Sequence, residues 1–306
     1  MTDLDAYFER RREMTSLATR AFDAGENVVN MILSRFPDAK QEAIEIAYEL
    51  QAGSYTANRD TPVSLAYRGE QHHILAERVF PRLTTDQNAI LLDAGTGEGT
   101  GWYGFDFGNS PVGDLHAVDI SLRRLDYVRQ NVALARDQLS VVRADLLDMP
   151  YWPKSFDVVV TMHAVEPNGG REHAAVNKLA NLTADLLCLF EPDYRAASPE
   201  GRARMEKLGY GLEIFEAAHA LADFEVLFEQ PIASVTNPLN PTTVICLKRK
   251  KSSKGSLRRK SPLADLDLIR REDHFAETGL GASAIFPIVS GIECMRRSDA
   301  VMRIER

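Results

Sequence analysis

The spacing of apolar positions changes character near residue 89. Upstream it is helical: in FPDAKQEAIEIAYELQ, Ala43, Ile44, Ile46, Ala47 and Leu50 fall near one face, and GEQHHILAERVFPRL repeats the spacing until Pro81 breaks it. Downstream, short apolar runs take over: AILLDA, DLHAVDI, QLSVVRAD, FDVVVTMH, ADLLCLFE, DFEVLFEQ and TTVICLKR. Their length predicts seven strands. SLRRLDYVRQNVALARD lies between two of them, with Leu122, Leu125, Val128, Val132 and Ala135 on one face, and predicts a crossover helix. The last two runs are joined by PIASVTNPLNP, whose Pro and Asn residues predict an antiparallel pair at the sheet edge. An insertion over residues 198–222 opens with SPEG, where Ser198 is a candidate helix cap. The pattern predicts a doubly wound α/β sheet behind an N-terminal helical cap over residues 1–84.

Composition narrows the class. With 306 residues, 44% hydrophobic and 26% charged, the chain excludes disordered, collagen-like and coiled-coil readings. No run approaches the roughly 18 apolar residues of a membrane span, and MTDLDAYFERRREM lacks the core of a signal peptide. Cys188, Cys246 and Cys294 lie far apart with no CxxC spacing, against a disulfide scaffold or a thiol zinc site. A soluble protein in a reducing cytoplasm, with no metal, is the expectation. The net charge of −8 is strongly segregated. KRKKSSKGSLRRK, residues 248–260, holds eight basic and no acidic side chains, and 261–306 hold eight acidic and six basic, so residues 1–247 carry −14. The basic run reads as a solvated linker over 249–260, or as a contact for RNA or another anionic partner. The acidic main domain argues against nucleic acid.

The densest chemistry is LLDAGTGEGTG, residues 91–101, where a strand should end and a helix begin. Gly95, Gly97 and Gly99 allow a tight turn and close approach of a ligand. Such loops occur in dinucleotide enzymes too, but here Thr100 replaces the last glycine of GxGxxG. Asp93, just before the loop, would repel a pyrophosphate and attract an ammonium. Asp119 ends the next strand, where a carboxylate can accept from both hydroxyls of a ribose. Asp145, after the third strand, can accept from the amine of an adenine.

Through LLDAGTGEGTG, the acid of HAVDIS, the ADLLDMP segment and FDVVVTMHAVE, residues 85–248 resemble the class I S-adenosylmethionine-dependent methyltransferases. The resemblance implies a seven-stranded sheet of order 3-2-1-4-5-7-6 with the last strand antiparallel. It implies S-adenosyl-L-methionine as cofactor, held by Asp93, Gly95, Thr96, Gly97, Asp119, Ile120, Asp145, Leu146 and His163.

Methyl transfer needs alignment, plus a base where the acceptor is protonated. HAVEPNGGREH and LFEPDYR set His163, Glu166, Glu191 and Asp193 at strand ends, where open α/β sheets bind ligands. His163 is the first candidate base because imidazole titrates near neutrality, and Glu166, before a Pro-Asn-Gly-Gly turn, is the second catalytic candidate. Upstream, Tyr55, Arg68, His72 and His73 lie in a segment expected to cover the site. The N/D-P-P-Y/F motif that DNA methyltransferases of this fold often show is absent, so a small-molecule acceptor is expected, a sugar or surface-glycan precursor among them. Alternatives are an RNA or protein methyltransferase, or a non-catalytic scaffold that binds the cofactor. Residues 261–306 resemble the small zinc-ribbon-like domain of the methyltransferase activator family through SPL and FPIVSGIECM, with Ser261 and Ala264 where the family often has cysteines. The resemblance implies an accessory domain that acts by packing, or a homodimer surface through Phe286, Ile288, Val289 and Ile292.

Overall fold

The computed structural model describes residues 3–85, 87–278 and 282–304. It falls into two compact units, Met1–Ser54 and Tyr55–Arg306. In the first, α1 (Asp3–Asp23), α2 (Val28–Arg35) and α3 (Lys40–Gln51) pack around Met14, Ala18, Ile32, Ala43 and Ile46. Asn27 caps α2 by accepting from the Asn30 amide, and the buried Glu45 is paired with Arg11 at 2.6 Å.

The second unit is built on a sheet. A one-turn helix α4 (Ser54–Ala57) straddles the boundary and leads to α5 (Pro62–Ile74), which starts with Pro62 behind a Thr61 cap. The expected strands form as β1 (Ala89–Ala94), β2 (Val112–Asp119), β3 (Leu139–Arg143), β4 (Phe156–Met162), β5 (Thr183–Pro192), β6 (Phe224–Pro231) and β7 (Thr242–Arg249). Their order is β3-β2-β1-β4-β5-β7-β6, with β7 antiparallel to both neighbours, as expected. Both sheet faces are covered, which is why the central strands read as continuous apolar runs. Leu92, Val118, Val159 and Leu187 pack on one side with α8 (Glu172–Leu182) and α10 (Ile214–His219), while Leu91, Leu115, Val158 and Leu186 fill the other. Ser198 caps α9 (Pro199–Leu208) through the Gly201 amide. Among the described residues no helix is long and apolar enough to cross a membrane.

Two helical expectations fail. The crossover after β2 forms only single turns, α6 (Leu122–Leu125) and α7 (Val128–Asn131). Val128, Val132 and Leu125 are buried as the periodicity requires, but Asn131 spends its amide outside the helix, on the Glu98 carbonyl. Between the glycine loop and β2 there is no α-helix, only two 3-10 turns at Thr100–Trp102 and Phe107–Asn109. Gly101, Gly104, Gly108 and Pro111 discourage a longer one, and Trp102, Phe105 and Phe107 hold the segment by edge-on ring packing.

The C-terminal segment adds β8 (Arg259–Lys260), β9 (Asp267–Arg270), β10 (His274–Glu277), β11 (Ala282–Val289), β12 (Ile292–Cys294) and β13 (Val301–Ile304). It extends the main sheet: β12 pairs in parallel with β3, Glu293 opposite Val142 and Cys294 opposite Arg143. Phe286 and Ile292 are buried in the chain's own core, whereas Val289 is 44% exposed. The basic run is not a solvated tether. Arg249 donates to the carbonyls of Thr183 and Ala180, Lys254 pairs with Asp157 at 2.6 Å, and Arg259 is buried against Glu293 at 2.6 Å. An acidic main domain supplies counter-charges along the path, which composition alone does not locate.

Candidate active site

The C-terminal ends of β1 to β5 bring the predicted residues together. Gly95 and Gly97 have φ of +81° and +57°, a region that costs other residues energy. A Cβ on Gly95 would lie 2.3 Å from that of Ala164, so the loop after β1 can meet the turn after β4 only through glycine. The Gly97 amide donates to Asp119 Oδ2 at 2.8 Å and the Ser121 amide to Oδ1 at 2.9 Å. Asp119 thus fixes the loop, and each oxygen keeps a second lone pair for a ligand hydroxyl.

Asp93 is buried and accepts from Trp102 Nε1 at 2.7 Å, which places Trp102 in the core. Burial pushes its carboxyl up to about 6. The Thr96 hydroxyl and the Trp102 indole lie against this carboxylate and partly offset the rise. A buried carboxylate and a hydroxyl beside a glycine loop keep acceptor lone pairs that suit an ammonium donor. Asp145 accepts from the Leu147 amide at 2.9 Å, with its pKa raised by burial, and Leu146 is buried beside it. The Ile120 carbonyl accepts from Arg143 Nε at 3.3 Å.

His163 and Glu166 form a pair: Nδ1 lies 3.1 Å from Glu166 Oε2. Nε2 lies 2.7 Å from Thr242 Oγ1 and 3.0 Å from the Tyr67 hydroxyl, which itself donates to Thr242 at 3.0 Å. With a neutral ring, protons run from Tyr67 to Thr242 to Nε2, and Nδ1–H donates to Glu166. Burial lowers the His163 pKa, but the hydrogen bond and charge of Glu166 outweigh it and hold it above the ordinary imidazole value. His163 has φ of +58°, a strained backbone for a residue with a side chain. Glu191 sustains it: its carboxylate accepts from the amides of Ala164, Val165 and Glu166 at 3.0, 3.1 and 3.3 Å. Those bonds consume Glu191, and Asp193 is held by Arg195 at 2.8 Å, so neither candidate is placed as a free base.

Part of the covering segment is in contact with the loop. The Thr56 amide donates to the buried Glu98 carboxylate at 2.7 Å, Arg124 stacks 4.8 Å from the Tyr55 ring, and Arg59 and Arg68 both lie over Tyr103. His72 bonds the Gly101 carbonyl at 2.7 Å, while His73 is exposed. Sequence reasoning missed Tyr67, Thr242 and Glu98. Tyr67 precedes the noted Arg68 on α5, and its helical phase toward the sheet was the available signal; Thr242 opens β7 with no motif around it. Among the described residues no group of three or more His, Cys, Asp or Glu side chains is placed to hold a metal ion.

Residues 91–185 match the family model of a methyltransferase domain. A search of curated proteins gives no match. Among solved structures, the chain is similar to a magnesium protoporphyrin IX methyltransferase from Synechocystis with bound S-adenosylhomocysteine, at 15% identity and a TM-score of 0.51, covering 69% of this chain and 100% of that one. It is also similar to the N-methyltransferase NodS from Bradyrhizobium japonicum, at 12% identity and a TM-score of 0.51, covering 70% of this chain and 100% of that one. These likenesses establish the class I Rossmann-like fold. What is matched is a methyltransferase domain over residues 91–185, set within that fold.

Proposed function

We propose that the protein transfers a methyl group from S-adenosyl-L-methionine to an oxygen or nitrogen of a small molecule, with sugars and surface-glycan precursors as the first acceptors to test. The observation that carries the reading is the pairing of two neighbouring devices: a glycine loop fixed by Asp119, and a His163–Glu166 pair one strand away. The cofactor supplies an electrophilic methyl on a sulfonium, so the chain has only to align the acceptor and take its proton. Asp119 receives the ribose hydroxyls; Asp145, Leu146 and Ile120 frame the adenine; Asp93 and Thr96 offer buried oxygens to the ammonium. His163 Nε2 takes the acceptor proton, displacing its bond to Thr242, while Glu166 fixes the Nδ1–H tautomer and stabilises the imidazolium.

The RNA-directed alternative draws no support from the basic run, whose Arg249, Lys254, Arg258, Arg259 and Lys260 are each paired with acids of this chain. The test is calorimetric titration with S-adenosylhomocysteine, with NAD as control, followed by an acceptor screen that begins with sugars. Binding of the former alone and methyl transfer to a sugar are expected. Cofactor binding with no transfer to any small molecule would favour the scaffold reading, and binding of neither nucleotide would overturn the cofactor assignment.

A further inference from the structure

We infer that the C-terminal tail is a working part of the cofactor site: Asp299, through Arg143, is a positioning residue that sets the two loops framing the adenine. The inference rests on the proposed cofactor reading. Asp299 is nearly buried, its side chain 8% exposed, and it reaches in two directions. One oxygen receives Arg143 Nη1 at 2.5 Å, and the other receives the Arg296 amide at 3.0 Å, closing the 3-10 turn that follows β12. Arg143 is the last residue of β3. Its Nε donates to the Ile120 carbonyl in the loop after β2, and its own carbonyl accepts the Met295 amide at 2.8 Å.

One guanidinium therefore ties the residue after Asp119 to the tail, two residues before Asp145. A second tie lies further along, where Arg297 pairs with Asp148 at 2.7 Å in the turn that begins at Asp145. That pair is exposed and worth little by itself. The Arg143–Asp299 pair is largely shielded from water, so its loss removes a charge-assisted bond that holds the Arg143 side chain, and with it the Ile120 loop, to the tail. Loops that must be ordered on binding weaken affinity by the cost of ordering them. Tail packing thus acts on cofactor affinity with no tail atom needed on the methyl-transfer side.

The test compares the full-length wild type with Asp299→Asn, Asp299→Glu and Arg258→Gln, the last altering an exposed tail pair that touches Trp152 and neither Ile120 nor Arg143. S-adenosylhomocysteine binding is measured by calorimetry at a temperature where melting curves show each protein folded. Asp299→Asn is expected to weaken binding about tenfold or more, the scale of one charge-assisted hydrogen bond, while Asp299→Glu recovers most of the loss and Arg258→Gln binds normally. Wild-type affinity in folded Asp299→Asn would overturn the inference and leave the cofactor reading intact; a wild type that does not bind at all would sink both. Should Asp299→Asn fail to fold, linkage supplies the converse on the wild type. Saturating S-adenosylhomocysteine must slow hydrogen exchange at the Met295, Arg296 and Asp299 amides, and unchanged exchange there refutes the coupling.

Discussion

The attachment of the tail rests on a buried charge cluster whose removal has a calculable cost. Arg259 donates through Nε at 2.8 Å and Nη2 at 2.6 Å to Glu293 Oε2, stacks 4.5 Å from the Tyr151 ring, and has Nη1 3.1 Å from His116 Nδ1. The two paired side chains are 9% and 5% exposed. Glu293 lies on β12 and His116 on β2, so the cluster joins tail to sheet. Glu293→Gln removes the counter-charge and leaves a buried guanidinium, for which about 3–5 kcal/mol of destabilisation is expected; the retained amide oxygen favours the lower figure. Arg258→Gln breaks a pair whose partners are 52% and 33% exposed and should cost about 1 kcal/mol or less. The double replacement Arg259→Met with Glu293→Leu should recover most of the loss, since no charge is then stranded. Urea unfolding of the full chain, followed by tryptophan fluorescence, measures all three, and Trp152 reports on the tail because its Nε1 donates to Asp267 at 2.6 Å. A loss below about 1 kcal/mol for Glu293→Gln would refute the claim that this pair is desolvated and holds the tail.

Because Glu166 raises the His163 pKa, a His163 base becomes neutral only as pH climbs past the ordinary imidazole range of about 6.5. The acid limb of the rate profile should lie above that value and move down in Glu166→Gln, with a lower plateau; a limb that does not move removes Glu166 from this role. Replacing His163 by Ala should cut turnover about a hundredfold or more, measured at saturating acceptor, and near-normal turnover would make it a structural residue. Asp119→Ala should weaken S-adenosylhomocysteine binding by about 1.5–3 kcal/mol if the carboxylate accepts the ribose hydroxyls, which calorimetry reads directly. In Gly95→Ala the new methyl meets Ala164 at 2.3 Å with φ at +81°, so both melting temperature and cofactor affinity should fall; an unaltered affinity would mean that the loop has room the geometry denies it.

What the chain discloses in one dimension follows the range of the forces involved. All seven strands and their order were legible, because burial on both faces imposes apolar runs on β1, β4 and β5 and the resemblance fixes their sequence in the sheet. The glycine loop was legible because positive φ admits few other residues. Helices flanking the sheet were less so. The stripe from Leu122 to Ala135 is buried as predicted, yet the backbone there is two isolated turns, since Asn131 and Glu98 bond across elements that periodicity does not connect. The acids around the site show the same limit. Glu191 and Asp193 stand at strand ends like Glu166, and only the amides of Ala164 to Glu166 and the Arg195 fork reveal that the first two are already engaged.

The basic run illustrates why charge segregation along a sequence is a poor guide to surface charge. Eight cations in 13 positions resemble a free polycation, but the strand-forming tail already begins inside the run, at β8, and the run lies along acids of the main domain. Arg259 is stripped of water beside Tyr151 and Glu293, and Lys254 neutralises Asp157, whose other role is to accept the Ile90 amide at the start of β1. The same charges that suggest an external partner therefore act within the chain. Through the Arg259–Glu293 pair they hold β12 against β3, and that edge meets Arg143, the last residue of β3, two residues before Asp145.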